Sequence, residues 1–158
     1  MSLSHFDADG QSQMVDVGEK SPTNRVAVAS GCARMNPDTL ALIRDRKIAK
    51  GDVFEIARVA GIMAAKRTDS IIPLCHNIAL ESVNIEFSVV SDSVLRVESR
   101  VSTCSKTGVE MEALTAVSTA LLTLYDMCKA VQRDITIEFI QLEEKIGGKS
   151  GHFLRQSP

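Results

Sequence analysis

The chain has 158 residues, which is enough for one globular domain and too few for two domains of ordinary size. Hydrophobic residues make up 44% and charged residues 24% of the chain, and this balance excludes a disordered chain or a disulfide scaffold. Because 18 Lys and Arg residues face 20 Asp and Glu residues, the chain lacks the basic excess expected of a non-specific binder of nucleic acid or membrane surfaces.

The N-terminal segment, residues 1–24, carries Asp, Gly, Ser and Pro with little periodicity and is predicted to be a flexible arm. Its single apolar patch is the sequence MVDV at residues 14–17. Residues 25–35 alternate between two sets of side chains, one of which is uniformly small. This pattern predicts the first strand, with a small-residue face.

Two helices are predicted next. Asn36 and Pro37 supply the N-cap and first position of a short helix that ends near Arg46. Asp52, with an acidic residue three positions later, resembles a capping box and begins a second helix that runs to about Thr68. The predicted apolar face of the second helix consists of Val53, Ile56, Ala57, Ala60, Met63 and Ala64.

A β-hairpin, a long helix and a last strand follow. Residues 82–89 and 95–101 alternate strictly between apolar and polar side chains around a turn at 91–93, which predicts two antiparallel strands. A long helix is predicted between residues 109 and 133, and residues 135–140 are predicted to form the last strand. The predicted buried stripe of the long helix is Leu114, Val117, Leu121, Leu124, Cys128 and Val131.

This order of elements predicts an α+β, ferredoxin-like fold, in which helices pack on one face of an antiparallel sheet. We expect one catalytic domain at residues 25–144, between the arm at 1–24 and a mobile tail at 145–158. The fold hosts many functions, so it does not by itself indicate a chemistry.

The sequence also indicates the cellular location of the protein and the redox state of its cysteines. No apolar run approaches the ~20 residues that span a bilayer, and no signal peptide is recognisable, so we expect a cytoplasmic protein. The cysteines are widely spread without a CxxC pair, which indicates reduced thiols, mostly in the core, and no zinc or redox motif.

A second, mostly polar stripe runs along the long helix. It consists of Glu112, Thr115, Thr119, Leu122, Asp126, Lys129 and Arg133. One interpretation is a solvated face with an Asp126–Lys129 ion pair worth under ~1 kcal/mol, and the other is a functional face. Glu112 and Asp126 are 14 residues apart, roughly 21 Å along a helix, so one small substrate cannot touch both on one chain. If both residues are functional, two subunits must contribute.

Three further positions allow either a functional interpretation or an ordinary structural one. Lys50 precedes a helix start, where a cation is disfavoured unless an anion shares the site, so it predicts either a phosphate pocket or a solvated lysine. His76 is either a hydrogen-bonding loop residue or a catalyst, and we expect no metal there. The GGKS sequence is not a phosphate-binding P-loop, because Glu143 stands where that pattern needs glycine. Lys149, with Lys145 before it, belongs either to a flap over a phosphate or to a solvated tail.

Several longer segments together resemble one known family. They are KGDVF at Lys50, AAKRT at Lys66, PLCH at His76, KTGVEMEALTA from Lys106, YDMCKA from Tyr125 and GGKSG near the C-terminus. In this order and spacing, from about Met14 to Gly151, the chain resembles the molybdenum cofactor biosynthesis protein C family of cyclic pyranopterin monophosphate synthases.

The resemblance implies a lyase with a ferredoxin-like subunit. Its expected reaction converts 3′,8-cyclo-7,8-dihydroguanosine triphosphate to cyclic pyranopterin monophosphate and releases diphosphate. The expected assembly is a homohexamer, a trimer of dimers, with active sites at the dimer interface. An upstream radical SAM cyclase and a downstream molybdopterin synthase are the implied pathway neighbours, and no cofactor, nucleic acid or membrane is expected.

The resemblance also implies roles for individual residues. Asp126 in YDMCKA would be the acid/base residue, with Lys129 and Lys50 as catalytic partners. The residues implied to contact substrate are Leu74, Cys75, His76, Glu110, Met111 and Glu112. Because a nucleoside triphosphate carries about four negative charges, basic residues must neutralise it and stabilise the departing diphosphate. The candidates for that role are Lys50, Lys145, Lys149 and Arg25.

Two residues depart from the family pattern. Asn77 stands where the family usually has proline after PLCH, which would leave the His76 loop freer, and Ile146 stands where it has serine before GGKSG.

Two other classes of function remain as alternatives. A nucleotide- or RNA-binding module on this fold would need exposed aromatic residues to stack on bases, but aromatic residues of all kinds make up only 4% of the chain. An oligomeric scaffold would use the polar stripe as an intersubunit salt-bridge seam.

Overall fold

The computed structural model describes residues 9–156. Its helices are α1 (Pro37–Arg44), α2 (Val53–Ala65) and α3 (Glu110–Cys128), with a 3₁₀ turn at Thr68–Ser70. Its strands are β1 (Thr23–Arg34), β2 (Ser82–Val89), β3 (Val94–Ser105), β4 (Thr136–Ile146) and β5 (Phe153–Leu154). Five antiparallel strands form one sheet in the order β2-β3-β1-β4-β5. The predicted α+β, ferredoxin-like fold is confirmed.

The small residues of β1 let α3 lie directly on the centre of the sheet. Ala27, Ala29 and Ala33 are fully buried on the helix-facing side of this strand. Gly31 lies between them, and a Cβ there would stand 2.7 Å from the Leu121 Cδ1 atom of α3. A larger side chain at these positions would lift the helix off the sheet, because core packing leaves little free volume.

The ends of α3 and β4 differ from the predictions. The helix ends at Cys128 rather than near residue 133, and Val131, predicted to be buried, is 52% exposed. After the helix, the Gln132 side chain turns inward and accepts a hydrogen bond from the Asn36 backbone N–H at 2.8 Å. The last strand continues past residue 140 to Ile146, because its pairing with β1 absorbs two register shifts.

One face of α2 is exposed where the sequence predicted core. Val53, Ala57 and Ala64 are buried as predicted, but Ile56 and Met63 are 48% and 47% exposed. The buried face packs on α3 and β2, and the exposed residues lie on the opposite side with Val59. An apolar side chain in contact with solvent gains nothing from the hydrophobic effect, so this face remains available to a partner.

The C-terminal segment is joined to the sheet. Phe153 pairs with Lys145, and the Arg155 backbone N–H donates to the Glu143 carbonyl at 2.8 Å. The predicted boundary at residue 145 therefore falls within β4, and the division into arm, domain and tail stays a prediction. Within residues 9–156, no helix combines the length and apolar character needed to cross a bilayer.

The contact between α2 and α3 generates a stability prediction. In an ordinary helix Gly→Ala is stabilising by about 0.5–1 kcal/mol. At Gly61, however, the added Cβ would lie 2.8 Å from the Ala116 carbonyl oxygen of α3 and would also collide with Ile85. We expect Gly61→Ala to lower the free energy of unfolding by about 1–2 kcal/mol in chemical denaturation.

A matched glycine provides the control for this measurement. At Gly108 the added Cβ meets only the movable carboxylate of Glu110, so Gly108→Ala should cost much less than Gly61→Ala. A Gly61→Ala protein as stable as the original would show that the two helices are packed more loosely than this structure describes.

Candidate active site

The structure brings the predicted site residues together at the two ends of α3. The 74–76 loop and the first turn of the helix share one cavity at its N-terminal end. Arg25 and Lys145 line an adjoining cleft. Lys50, Asp126 and Lys129 meet at the C-terminal end.

We call the first region the loop cavity, which has a volume of about 340 Å³. Its predicted residues are Leu74, Cys75, His76, Glu110, Met111 and Glu112. The loop is held in place by two hydrogen bonds. The Cys75 backbone N–H donates to the Ile72 carbonyl at 3.1 Å, and the Asn77 side chain donates to Asp69 Oδ2 at 2.7 Å. Asn77 therefore ties the His76 loop to the 3₁₀ turn in this chain.

Glu112 is a buried carboxyl group in the loop cavity. Only 4% of the residue is exposed, and burial raises its pKa, with Glu110 and Asp69 adding to the effect. The polar stripe on α3 is therefore not uniformly solvated, since Thr115 is buried as well. A carboxyl group in this setting accepts N–H groups when ionised and donates one hydrogen bond when protonated.

Cys75 lines the same cavity as a protonated thiol. Burial raises its pKa above the ordinary value, and the charges of Glu112 and Asp69 act in the same direction. A thiol with a raised pKa is a poor nucleophile, so this environment suits contact with substrate better than covalent catalysis. Of the other cysteines, Cys32 and Cys128 are buried as predicted, whereas Cys104 is exposed.

The protonation of His76 follows from its partner. The Nε2 atom lies 2.7 Å from the Val15 backbone carbonyl oxygen, which can only accept a hydrogen bond. Nε2 therefore carries a proton in this arrangement. Val15 and Val17 also line the cavity, and sequence reasoning missed both because it assigned them to the arm. The apolar MVDV patch was the signal that could have identified them.

The adjoining region, which we call the basic cleft, has a volume of about 930 Å³. It shares Lys20, Thr107, Gly108 and Glu110 with the loop cavity, so the two spaces adjoin each other. Its basic residues are Lys20, Arg25, Lys106, Lys145 and Lys149. Sequence reasoning selected Arg25, Lys145 and Lys149 for the triphosphate. It missed Lys20, which lies in none of the quoted segments, and Lys106, which begins the KTGVEMEALTA segment but was given no role.

The glycines of the GGKSG sequence shape one wall of the basic cleft. Gly147 and Gly148 have φ values of +99° and +76°, which side chains other than glycine rarely adopt. A Cβ at Gly148 would collide with the Arg25 guanidinium, so the loop turns closely around that side chain. Lys145 is only 8% exposed, and its ammonium group donates to the Ser150 hydroxyl.

A cluster of two lysines and one carboxylate forms at the C-terminal end of α3. Lys129 Nζ lies 2.7 Å from Asp126 Oδ1, and Lys50 Nζ lies 3.3 Å from Oδ2 and 2.8 Å from the Asp126 backbone oxygen. The hydrogen bond from Lys129, followed by that from Lys50, lowers the pKa of Asp126, and Asp126 in turn raises the pKa of Lys129. The anion predicted to accompany Lys50 is thus supplied by the chain itself.

The two ends of α3 cannot serve one substrate molecule on a single chain. The helix is continuous from Glu110 to Cys128, so Glu112 and Asp126 are separated by 14 residues, roughly 21 Å along its axis. All three side chains of the lysine cluster are 42–57% exposed on the isolated chain. This cluster is therefore open to solvent and too far from the loop cavity of its own chain to share a small ligand with it.

Comparisons with known proteins identify a family and several close relatives. The model of the MoaC family matches residues 14–148. A protein from Thermomicrobium roseum, named cyclic pyranopterin monophosphate synthase, is 56% identical over 155 residues, which cover 98% of this chain and 93% of that protein. Proteins of the same name from Heliobacterium modesticaldum and Desulfitobacterium hafniense are 55% and 53% identical and cover 98% and 99% of this chain. The matches cover 98% and 96% of those two proteins.

Glu112 gives a prediction for the dependence of stability on pH. A carboxyl group whose pKa is raised by folding contributes stability that is lost as the pH rises through the folded pKa. Glu112→Gln cannot ionise, so we expect its free energy of unfolding to exceed that of the original chain at pH 7 and the difference to shrink towards pH 4. Urea denaturation across this range measures the effect, and Glu81→Gln at an exposed position controls for the loss of one charge. A difference that grows as the pH falls would contradict the raised pKa.

Proposed function

Because the chain belongs to the MoaC family, we propose that it is a cyclic pyranopterin monophosphate synthase of molybdenum cofactor biosynthesis. The reaction converts (8S)-3′,8-cyclo-7,8-dihydroguanosine 5′-triphosphate to cyclic pyranopterin monophosphate and releases diphosphate. The observation that carries the proposal is that the loop cavity and the basic cleft lie side by side and share four lining residues. One space contains carboxyl groups and an imidazole, and the other contains five basic side chains.

The basic cleft suits a triphosphate. Such a group brings about four negative charges, and its cleavage places further charge on the departing diphosphate. Arg25 donates a hydrogen bond to the Thr23 hydroxyl at 2.8 Å, and Lys145 is buried and bonded to Ser150, so both are held in position before substrate binds. Fixed cations stabilise developing charge without having to reorganise during the reaction.

The loop cavity suits the guanine-derived ring. Glu110 and Glu112 are the natural acceptors for the N–H groups of such a ring. Cys75 offers a donor in the same cavity, and His76 offers the Nε2 proton once it no longer bonds the Val15 carbonyl. In this proposal Leu74 and Met111 contact the flat apolar surface of the ring.

The acid/base chemistry comes from a second subunit. Asp126, Lys129 and Lys50 move protons while the purine-derived ring opens and the pyran ring closes. In the free chain Asp126 is ionised and Lys129 is protonated, because each stabilises the charge of the other. Removal of water at a subunit interface disfavours both charged forms, and this brings the two pKa values closer to neutral pH, where proton transfer is efficient.

The assembly follows from two separate surfaces. The dimer places the Asp126 end of one chain beside the loop cavity and basic cleft of its partner. The exposed apolar residues Ile56, Val59 and Met63 of α2 then lie on another face, which suits contact between dimers. We place the chain in a homohexamer, a trimer of dimers, in the cytoplasm. A radical SAM cyclase supplies its substrate and molybdopterin synthase consumes its product.

The reaction itself is tested with the cyclic guanosine triphosphate. We expect diphosphate and cyclic pyranopterin monophosphate to form in equal amounts, measured by coupled phosphate release and mass spectrometry. Lys50→Ala and Asp126→Ala should each lower kcat by about 10²–10⁴-fold, the range of general acid–base catalysis. Lys47→Ala, an exposed lysine bound to Asp45, is the charge-matched control and should keep full activity. Unchanged turnover in the first two variants would remove both residues from the mechanism.

Shared sites predict complementation between inactive variants. Asp126→Ala damages one end of α3, and Lys145→Ala damages the basic cleft, so each homo-oligomer should be inactive. In a mixed dimer one of the two sites receives both intact halves, so an equal mixture refolded together should regain about a quarter of full activity. If every chain contained a complete site of its own, the mixture would remain as inactive as its components.

A further inference from the structure

Residues 15–20 cross the boundary between the loop cavity and the basic cleft, and we call this segment the strap. Val15 and Val17 line the cavity, whereas Asp16 and Glu19 line the cleft, and Lys20 lines both. The strap contains no helix or strand residue. Its contacts with the site therefore determine where it lies.

Two functional side chains hold the strap through its backbone. His76 Nε2 donates to the Val15 carbonyl oxygen at 2.7 Å, and Lys106 Nζ donates to the Gly18 carbonyl oxygen at 2.7 Å. The segment is folded by local bonds, since Asp16 Oδ1 accepts the Gly18 N–H at 2.7 Å. His76 lines the loop cavity and Lys106 lines the basic cleft, the two spaces proposed for substrate. The strap therefore accepts hydrogen bonds from two groups that a bound ligand would otherwise use.

The charge of the strap opposes that of the cleft. Three carboxylates line the basic cleft, and the strap supplies two of them, Asp16 and Glu19. They lie among the five basic side chains that would receive the phosphates. The strap also carries Lys20, so with Asp16 and Glu19 its net charge is −1. Its withdrawal removes more negative than positive charge from the cleft, which favours the binding of a polyanion.

We propose that the phosphate chain of the ligand displaces the strap, and that Lys106 is a further phosphate-binding residue, which exchanges the Gly18 carbonyl for a phosphate oxygen. The inference rests on the proposed function for the identity of the ligand. The exchange is favourable because an ammonium–phosphate bond joins two charges, whereas the existing bond joins a charge to a neutral carbonyl. Withdrawal of Val15 also frees the Nε2 proton of His76, so phosphate binding in the cleft prepares the imidazole in the cavity.

The test uses the full-length protein and inorganic tripolyphosphate as the probe. Hydrogen exchange of the strap amides is measured with and without the probe, and affinity is measured by calorimetry. We expect the strap amides to exchange faster when tripolyphosphate is bound. Lys106→Ala should weaken binding about tenfold or more, and Lys106→Arg should restore most of the affinity. Glu19→Gln should tighten binding about threefold, because it removes a repelling charge. Lys47→Ala, which removes a lysine outside the cleft, should change nothing.

The opposite results overturn the proposal. If the strap amides become more protected, the strap closes over the phosphates and does not yield to them. If Lys106→Ala binds tripolyphosphate as the original does, Lys106 is not a ligand, and if the original does not bind the probe at all, the cleft is not a phosphate site.

Turnover of the cyclic guanosine triphosphate, measured in parallel, separates this inference from the proposed function. If tripolyphosphate releases the strap but the protein does not turn over the cyclic guanosine triphosphate, the proposed function is refuted and the displacement of the strap by phosphates is supported. If the protein turns over the cyclic guanosine triphosphate but tripolyphosphate leaves the hydrogen exchange of the strap amides unchanged, only the proposed displacement of the strap is refuted.

Discussion

The length of one rigid helix determines how this protein can work. Because α3 is continuous, it holds the buried carboxyl of Glu112 roughly 21 Å from the Asp126 cluster. The small side chains of β1 press the helix flat against the sheet, so the two ends cannot approach each other by bending. In the proposed mechanism the substrate needs both ends, so it lies between two chains, and different subunits contribute binding and proton transfer.

In the free chain, most of the cations proposed to meet substrate are already bound to groups of the protein. Lys50 and Lys129 bind Asp126, Lys106 binds the Gly18 carbonyl, and Lys145 binds the Ser150 hydroxyl. These partners keep several positive charges close together without large mutual repulsion. They also make substrate binding an exchange of partners, so the net gain from each contact is smaller than the contact alone would give.

The sequence predicted what depends on side-chain periodicity and on local caps. The Asp52 cap is confirmed, since its side chain accepts the Glu55 N–H at 3.2 Å, and the small-residue face of β1 follows from simple alternation. Contacts made through backbone carbonyls leave no such pattern. The strap bonds to His76 and Lys106 involve the carbonyls of Val15 and Gly18, which any residue could supply. The sequence therefore identified His76 as a candidate but could not identify what holds it.

The exposed face of α2 is a second feature that the sequence could not predict, and it supports the same proposed assembly. Helical spacing placed Ile56 and Met63 on one apolar face with the buried residues of α2, but periodicity does not reveal which surface will cover each residue. The other face of α2, which has small residues, packs closely on α3 of the same chain, with Gly61 against Ala116. A helix that is apolar on two sides needs two partners to bury both, and one chain supplies only the first. The separation of Glu112 from the Asp126 cluster along α3 and the uncovered face of α2 are independent observations, one of polar and one of apolar residues, and both support the proposed assembly of several copies of this chain.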